Sequence, residues 1–262
     1  MKLYDWFVKF IDFGKEKSGL INLKTHTFYA KAIDSNALII DLGANVGQFA
    51  QAISQKFNCK CYAIEAVPAV YAQIQENNLV KKFNCAISAQ NHPVKIYLSD
   101  NRECHSISQD FAASYGLQGA ITVEGITLEN FLDSHNIELV DLLKVDIEGS
   151  EEELFKSTSD ATLCKKIKQI TIEFHDFVPN SISTEAVKNI VNRFKKLGFF
   201  LIPFSYVFPE MDTCDFLFVN TSLCKISLKD WLGFHMINWL LTIERTKSYT
   251  VSAMSKRLQT SA

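Results

Sequence analysis

Leu38-Ile39-Ile40-Asp41-Leu42-Gly43-Ala44-Asn45-Val46-Gly47-Gln48-Phe49-Ala50 is the stretch on which the reading of this chain turns. The apolar run over 37–40 has the length and β-branched content of a buried parallel strand. It reaches Asp41, passes two glycines four positions apart, and resumes apolar residues at helical spacing with Phe49, Ala50 and Ile53. Strand, glycine turn and helix start together bring backbone N–H groups and a helix N-terminus against a ligand. Gly43 would serve the tight turn, and Gly47 would allow a close approach of the helix to ligand or strand.

The details of the turn choose among ligands. A dinucleotide fingerprint reads G-x-G-x-x-G, but its first and third glycine positions are Asp41 and Val46 here. A P-loop needs Gly-Lys-Ser/Thr, whereas Gly47 is followed by Gln48 and Phe49. The remaining pattern, D-x-G-x-x-x-G, resembles the first motif of class I S-adenosylmethionine (SAM) methyltransferases. SAM has no phosphate; it carries an ammonium, a sulfonium and a carboxylate, so an acidic side chain beside the turn is useful to it.

Working outward, the pattern alternates. A helix over 48–56 is followed by a strand over 59–64 that ends at Glu65, and Pro68 opens a helix expected over 69–77. An acidic residue at the second strand tip, about twenty residues past the glycine turn, can accept hydrogen bonds from both ribose hydroxyls. A third strand is expected over 83–88, with Cys85 and Ala86 where an adenine would be bracketed, and 94–98 reads as an outer or hairpin strand. Residues 99–119 are polar, with Arg102, His105, Ser106 and Ser108, and read either as an active-site loop or as a surface excursion. A short strand over 121–125 leads to a helix capped by Thr127.

The second informative stretch is Val140-Asp141-Leu142-Leu143-Lys144-Val145-Asp146-Ile147-Glu148-Gly149-Ser150-Glu151. A buried strand runs to Val145, and Asp146, Glu148 and Glu151 crowd its exit. In open α/β sheets ligands bind at the carboxyl ends of strands, so these charges are expected to face a ligand. Lys144 lies within the apolar run and should pair with a nearby carboxylate, because an unpaired buried ammonium is costly. The strand expected over 168–176 ends in Glu173, His175 and Asp176, with Glu173 and His175 on one face. Two strand ends thus offer Asp146, Glu148, Glu173 and His175 to one cleft.

The blocks D-L-G-A-N-V-G, I-E-A-V-P, N-C-A-I-S, L-K-V-D-I-E-G-S-E and I-E-F-H together resemble, in order and spacing, the FkbM-type methyltransferase family. The likeness spans about 38–177, with the L-K-V-D-I-E-G-S-E block the most discriminating. Ala66 and Val67 depart from the residues that often follow the acidic strand tip in that family. The resemblance implies a SAM-dependent O-methyltransferase acting on a hydroxyl of a sugar, glycan or natural product. It also implies that Asp41, Gly43, Asn45, Gly47 and Glu65 hold SAM, with Ala86 near its adenine and Asp146 where methionine and acceptor meet. His175 ranks first as general base, since an ordinary imidazole titrates near neutrality. Glu173 or Asp146 would orient it, and Lys144 would hold the carboxylates. Its alternative is a strand-end histidine with no role in chemistry. A divalent ion on Asp146, Glu173 and His175 is a further alternative, but the cluster can equally balance itself through Lys144, and no metal is assigned.

The expected fold is thus α/β, a Rossmann-like doubly wound and mostly parallel sheet with helices on both faces. At 262 residues it makes one domain with additions: a helical segment over 1–34, the SAM-binding domain over 35–222 and a helical extension over 223–262. Helix 185–197 stops at Gly198, and closing strands over 199–204 and 216–220 are joined by an aromatic loop through Tyr206, Phe208 and Pro209. The apolar stretch over 231–243 is too short to span a bilayer and reads as a core or homodimer helix, with Arg245, Lys247, Lys256 and Arg257 beyond it. Tyr4, Trp6, Phe7, Phe10, Ile11 and Phe13 form an N-terminal stripe interrupted by Asp5, Lys9 and Asp12, which argues against a secretory leader. A formal net charge of −2 offers no basic surplus for nucleic acid, and seven cysteines without a regular framework read as reduced thiols of a cytoplasmic protein. Two readings from other classes remain open: an NAD-dependent oxidoreductase, and a SAM-fold module that binds without turnover.

Overall fold

The computed structural model describes residues 2–101, 104–176, 178, 182–204 and 215–242. Its centre is a sheet of seven strands in the order β12-β13-β11-β10-β3-β4-β5. The parallel body comprises β3 (Leu38–Leu42), β4 (Lys60–Ile64), β5 (Val80–Phe83), β10 (Leu142–Val145) and β11 (Gln169–Glu173). At one edge β12 (Phe199–Pro203) and β13 (Asp215–Asn220) close the sheet, β13 running antiparallel to both of its neighbours.

Side chains alternate across the sheet, so neighbouring residues feed opposite faces. Ile39, Leu142 and Leu217 enter one apolar cluster, while Ile40, Leu143 and Phe218 enter the other. The first cluster is covered by α2 (Gln48–Phe57) through Phe49, Ala50 and Ile53. It is also covered by Ile11 of α1 (Lys2–Lys17) and by Phe234, Ile237 and Leu241 of a helix over 228–242, α9. The second is covered by α5 (Leu128–Ser134), α6 (Glu151–Ser157), α7 (Asp160–Lys166) and α8 (Thr184–Lys196). Cys59 and Cys61 both bury into the first cluster, and the six described cysteines are free thiols. Among the described residues no helix is long and apolar enough to cross a membrane. The outer face of α9 leaves Leu228, Leu232 and Trp239 exposed, where the homodimer contact expected from the sequence would have to form.

Local chemistry explains where elements stop. Thr127, Ser159 and Ser183 each accept a backbone N–H from the first turn of the helix they cap. The helix expected over 69–77 is only α3 (Pro68–Tyr71), because Asn77 Oδ1 accepts N–H bonds from Leu79 and Val80 and turns the chain into β5. The strand expected over 83–88 is two strands in different sheets. Asn84 Nδ2 donates to the carbonyls of Glu65 and Ala66, ending β5, and β6 (Ala86–Ile87) then pairs with β9 (Gly125–Ile126). The strand expected over 168–176 ends at Glu173, the last residue paired with β13, and Val178 N–H turns back onto the carbonyl of His175. A feature absent from the sequence reading is the hairpin of β1 (Leu20–Leu23) and β2 (His26–Tyr29), inside the segment expected to be helical. The loop through Tyr206, Phe208 and Pro209, the cations Arg102, Arg245, Lys247, Lys256 and Arg257, and the side chains of Tyr4, Trp6 and Phe7 lie outside the described residues.

The glycine turn joins two strand exits. Gly43 has φ +71°, and a Cβ on it would lie 1.7 Å from the Asp146 carbonyl oxygen, so β3 and β10 leave the sheet in backbone contact. Gly43→Ala is therefore expected to lower stability by about 2–3 kcal/mol through left-handed strain and enforced separation of backbone. Chemical denaturation checks this, and a loss under 1 kcal/mol would show that the turn tolerates a side chain. Gly47, at φ +81°, would place a Cβ 2.9 Å from Ile74.

Candidate active site

A cavity of about 520 Å³ opens at the carboxyl ends of β3, β4, β10 and β11. One end is apolar, walled by Ile64, Val67, Val70, Cys85, Ala86 and Ile96. Glu65 stands at its rim, at the tip of β4. Its Oε2 accepts the Asn45 N–H at 3.0 Å and its Oε1 accepts the Val67 N–H at 2.8 Å, which locks the carboxylate between the glycine turn and α3. Burial raises the pKa of Glu65, and the two N–H groups pull against that shift. An apolar pocket end with a fixed carboxylate beside it suits an adenosine, its base among the apolar side chains and its ribose hydroxyls on Glu65.

Behind the wall lies a buried ionic core. Lys144 on β10 is 4 % exposed; its Nζ is 3.1 Å from Asp41 Oδ1 and 3.4 Å from Asp146 Oδ2, and it donates to the Gly43 carbonyl at 2.8 Å. Burial works against the ammonium, but the two carboxylates outweigh it and raise its pKa above the ordinary value. The same pair holds Asp146 below the usual carboxylate range: burial opposes ionisation, and Lys144, His26 and His175 overcome it. Lys144 thus ties the glycine turn to the exit of β10.

The polar end of the cavity gathers around His175. Its Nδ1 lies 2.9 Å from Oε1 of the fully buried Glu151, which also accepts the Gly149 N–H. Its Nε2 faces Glu148 Oε2 at 3.3 Å, Asp146 Oδ1 at 3.7 Å and Glu173 Oε1 at 4.0 Å, and the Phe111 ring packs on it edge-on. Burial disfavours the imidazolium, yet the bond to Glu151 and the charges of Glu151, Glu148 and Asp146 prevail and push His175 up to about 10. Burial, reinforced by Asp146, Glu173 and Glu151 against the pull of His175, pushes Glu148 up to about 8. An imidazole titrating near its ordinary value is not what this cavity favours: the carboxylates around His175 favour its protonated form, and burial favours the protonated form of Glu148. Glu148 itself takes a left-handed backbone, φ 54°, and its carbonyl accepts the Ser106 hydroxyl. Asp146, Glu148 and His175 each offer one atom within 4.8 Å of the others, a donor set that a hard divalent cation would accept.

The cavity lining includes Gly43, Asn45, Glu65, Ala86, Asp146, Glu173 and His175 from the sequence candidates. Asp41, Gly47 and Lys144 do not line it: Asp41 is wholly buried against Lys144, and Gly47 abuts Ile74. Residues 99–119 reach the cavity through Asn101, Cys104, His105, Ser106, Ile107 and Tyr115. Sequence reasoning named Glu151 only as one of three crowded carboxylates. Its place in the first turn of α6, three residues after Glu148, was the available signal for a side chain pointing back toward the strand exit. Lys24 and Thr25, at the tip of the β1–β2 hairpin, also line the cavity and had no signal beyond a short alternating run.

A family model described as "Methyltransferase FkbM domain" matches residues 41–201. No curated protein sequence matches the chain. Among solved structures, the fibrillarin of Aeropyrum pernix with natively bound S-adenosyl-L-methionine is 11% identical, covers 78% of this chain and 71% of its own, and has a TM-score of 0.42. The precorrin-6y C5,15-methyltransferase of Geobacter metallireducens GS-15 is 12% identical over 65% and 67% of the two chains, with a TM-score of 0.36. The methyltransferase domain of METTL16 is 8% identical over 82% and 83%, with a TM-score of 0.40.

Proposed function

This chain belongs to the FkbM methyltransferase domain family, and on that premise we propose that it moves the methyl group of SAM to a hydroxyl oxygen of a small acceptor, such as a sugar or natural product. The observation that carries the oxygen assignment is the relay Glu151–His175–Glu148, in which His175 and Glu148 line the same cavity as Glu65 and the fully buried Glu151 backs the imidazole. An amine can accept a methyl group through its free lone pair, whereas a hydroxyl is a weak nucleophile until its proton leaves. A built proton acceptor therefore favours oxygen.

The residues fit the cofactor: the apolar walls Val67, Val70 and Ala86 suit an adenine, and the Glu65 carboxylate, fixed by two N–H groups, suits a ribose. When bound, SAM supplies an electrophilic methyl on a positively charged sulfur. Asp146, held ionised by Lys144, would take the cofactor's ammonium. Glu151 fixes the tautomer and ring orientation of His175 through Nδ1, leaving Nε2 toward the cavity. Positive charge brought beside Asp146 and Glu148 weakens the field that holds His175 protonated. With Glu148 ionised, the imidazole can pass its proton to that carboxylate, and Nε2 then becomes competent to take one from the acceptor hydroxyl.

Calorimetric titration with S-adenosylhomocysteine tests the cofactor. Binding should weaken about 10–100-fold in Glu65→Ala, the loss of one or two hydrogen bonds to a charged acceptor. No binding by folded wild type would overturn the reading. Methyl-labelled SAM with a panel of hydroxylated acceptors should give an ether-linked label; label recovered only on nitrogen or carbon would overturn the oxygen assignment.

A further inference from the structure

We propose that Lys24, at the tip of the β1–β2 hairpin, binds the α-carboxylate of the cofactor's methionine moiety, so that a residue outside the family-matched segment completes the cofactor site. The proposal rests on the SAM reading above and adds a residue to it.

The hairpin tip is placed with care. β1 and β2 pair with Leu23 opposite His26, leaving Lys24 and Thr25 as a two-residue turn with φ of 50° and 68°. Both angles are left-handed, as a type I′ turn requires, and this position ordinarily takes Asn-Gly. A β-branched threonine there is an outlier, and such backbone persists only where the surroundings over-determine it. Here they do. Phe28 is fully buried, edge-on to Phe49 of α2. The Tyr29 N–H donates to Gln169 Oε1 at 2.9 Å, and Gln169 Nε2 donates back to the Tyr29 carbonyl. His26 packs edge-on against Phe49, with Nε2 3.8 Å from Asp146 Oδ2. The hairpin is thus clamped to the main sheet with its tip at the mouth of the cavity.

Charge then identifies what the tip would meet. The cavity is lined by four carboxylates, those of Glu65, Asp146, Glu148 and Glu173. Lys24 is the one lysine or arginine on the described lining. Its Nζ donates to Oε1 of Gln48, the first residue of α2, at 3.2 Å. Among the described residues it pairs with no carboxylate. Gly43 and Asn45 of the glycine turn line the same cavity as Gln48. SAM has a single anionic group; the imidazole of His175 is already held by Glu151, Glu148 and Asp146, which leaves Lys24 as the lining cation open to that group. The ammonium and sulfonium find their partners on the carboxylate side, and the carboxylate finds its own on the hairpin.

Two ligands separate this assignment from its rivals. S-adenosylhomocysteine and 5′-methylthioadenosine share the adenosine and the thioether, and only the first carries the amino acid. Lys24→Ala should weaken S-adenosylhomocysteine about tenfold in calorimetry, leave 5′-methylthioadenosine within about twofold by displacement, and be largely restored by Lys24→Arg. The tenfold effect should shrink as salt rises, because the site is at an exposed rim. Unchanged S-adenosylhomocysteine affinity in Lys24→Ala would overturn the proposal and leave Lys24 for an anionic acceptor. Equal weakening of both ligands would also overturn it, placing the effect in the fold or the nucleoside pocket. Failure of folded wild type to bind S-adenosylhomocysteine would overturn the cofactor reading and this proposal together; the other two outcomes overturn this proposal alone.

Discussion

Methionine in place of Lys144 is expected to destabilise the protein by about 3–5 kcal/mol, the range for removing one partner of a buried ion pair. Methionine keeps the length and apolar stem of the side chain, so the substitution tests the charge. It would leave Asp41, with no exposed surface, facing Asp146 across β3 and β10 with no cation between them. It also removes the 2.8 Å donor to the Gly43 carbonyl, which ties the glycine turn to β10. Urea denaturation followed by circular dichroism measures the loss. Adding Asp41→Asn to Lys144→Met should recover part of it, because one of the stranded charges is gone. A loss below 1 kcal/mol, or no recovery in the double variant, would mean that the carboxylates are satisfied some other way.

The largest kinetic effect is expected at His175. His175→Ala should slow methyl transfer about 10²–10⁴-fold, the usual contribution of a positioned proton acceptor, with S-adenosylhomocysteine affinity changed far less. Glu151→Gln is the sharper variant, because Glu151 acts through His175 and touches neither cofactor nor acceptor. Four carboxylates face the imidazole: Glu151 at Nδ1, and Glu148, Asp146 and Glu173 at Nε2. A histidine pushed up to about 10 carries its proton throughout the neutral range and loses it only as pH rises toward that value. Nitrogen-detected NMR of the free protein at pH 7 should therefore show His175 protonated on both nitrogens. Glu151→Gln removes the closest negative charge and should bring that titration down by about 1–3 units. At low acceptor concentration, the relay runs only when Glu148 is ionised and can receive the imidazole's proton. Activity should then fall as pH drops below about 8, where Glu148 takes up its proton. An imidazole that is neutral at pH 7 in the wild type, or one whose titration ignores Glu151→Gln, would remove His175 from the proposed role.

Much of this was legible in the linear chain, and for a local reason. Backbone preference and side-chain alternation act over a few residues. The run Leu38 to Leu42, the glycines at 43 and 47 and the helix from Gln48 therefore announce strand, turn and helix in order. The same logic finds Glu65 at the tip of β4 and the crowd of carboxylates after Val145. Local reasoning failed where a side chain several residues away captured the backbone. Asn77 cut short the helix after Pro68, and Asn84 split one expected strand between two sheets.

Electrostatics was the part that only tertiary structure decided, because charge acts through space without regard to sequence separation. Asp41 reads as a ligand contact until Lys144, 103 positions away in the chain, is seen to bury it behind the cavity wall. His175 reads as a neutral base until Glu151, 24 positions earlier, is found on its Nδ1. The hairpin that brings Lys24 to the cavity belongs to a segment with too short an alternation to announce itself. The succession of strands and helices along the chain, and the strand ends from which a cleft could be built, were written in local periodicity. Which charges face that cleft, and which protons they hold, was set only when distant segments were packed together out of water.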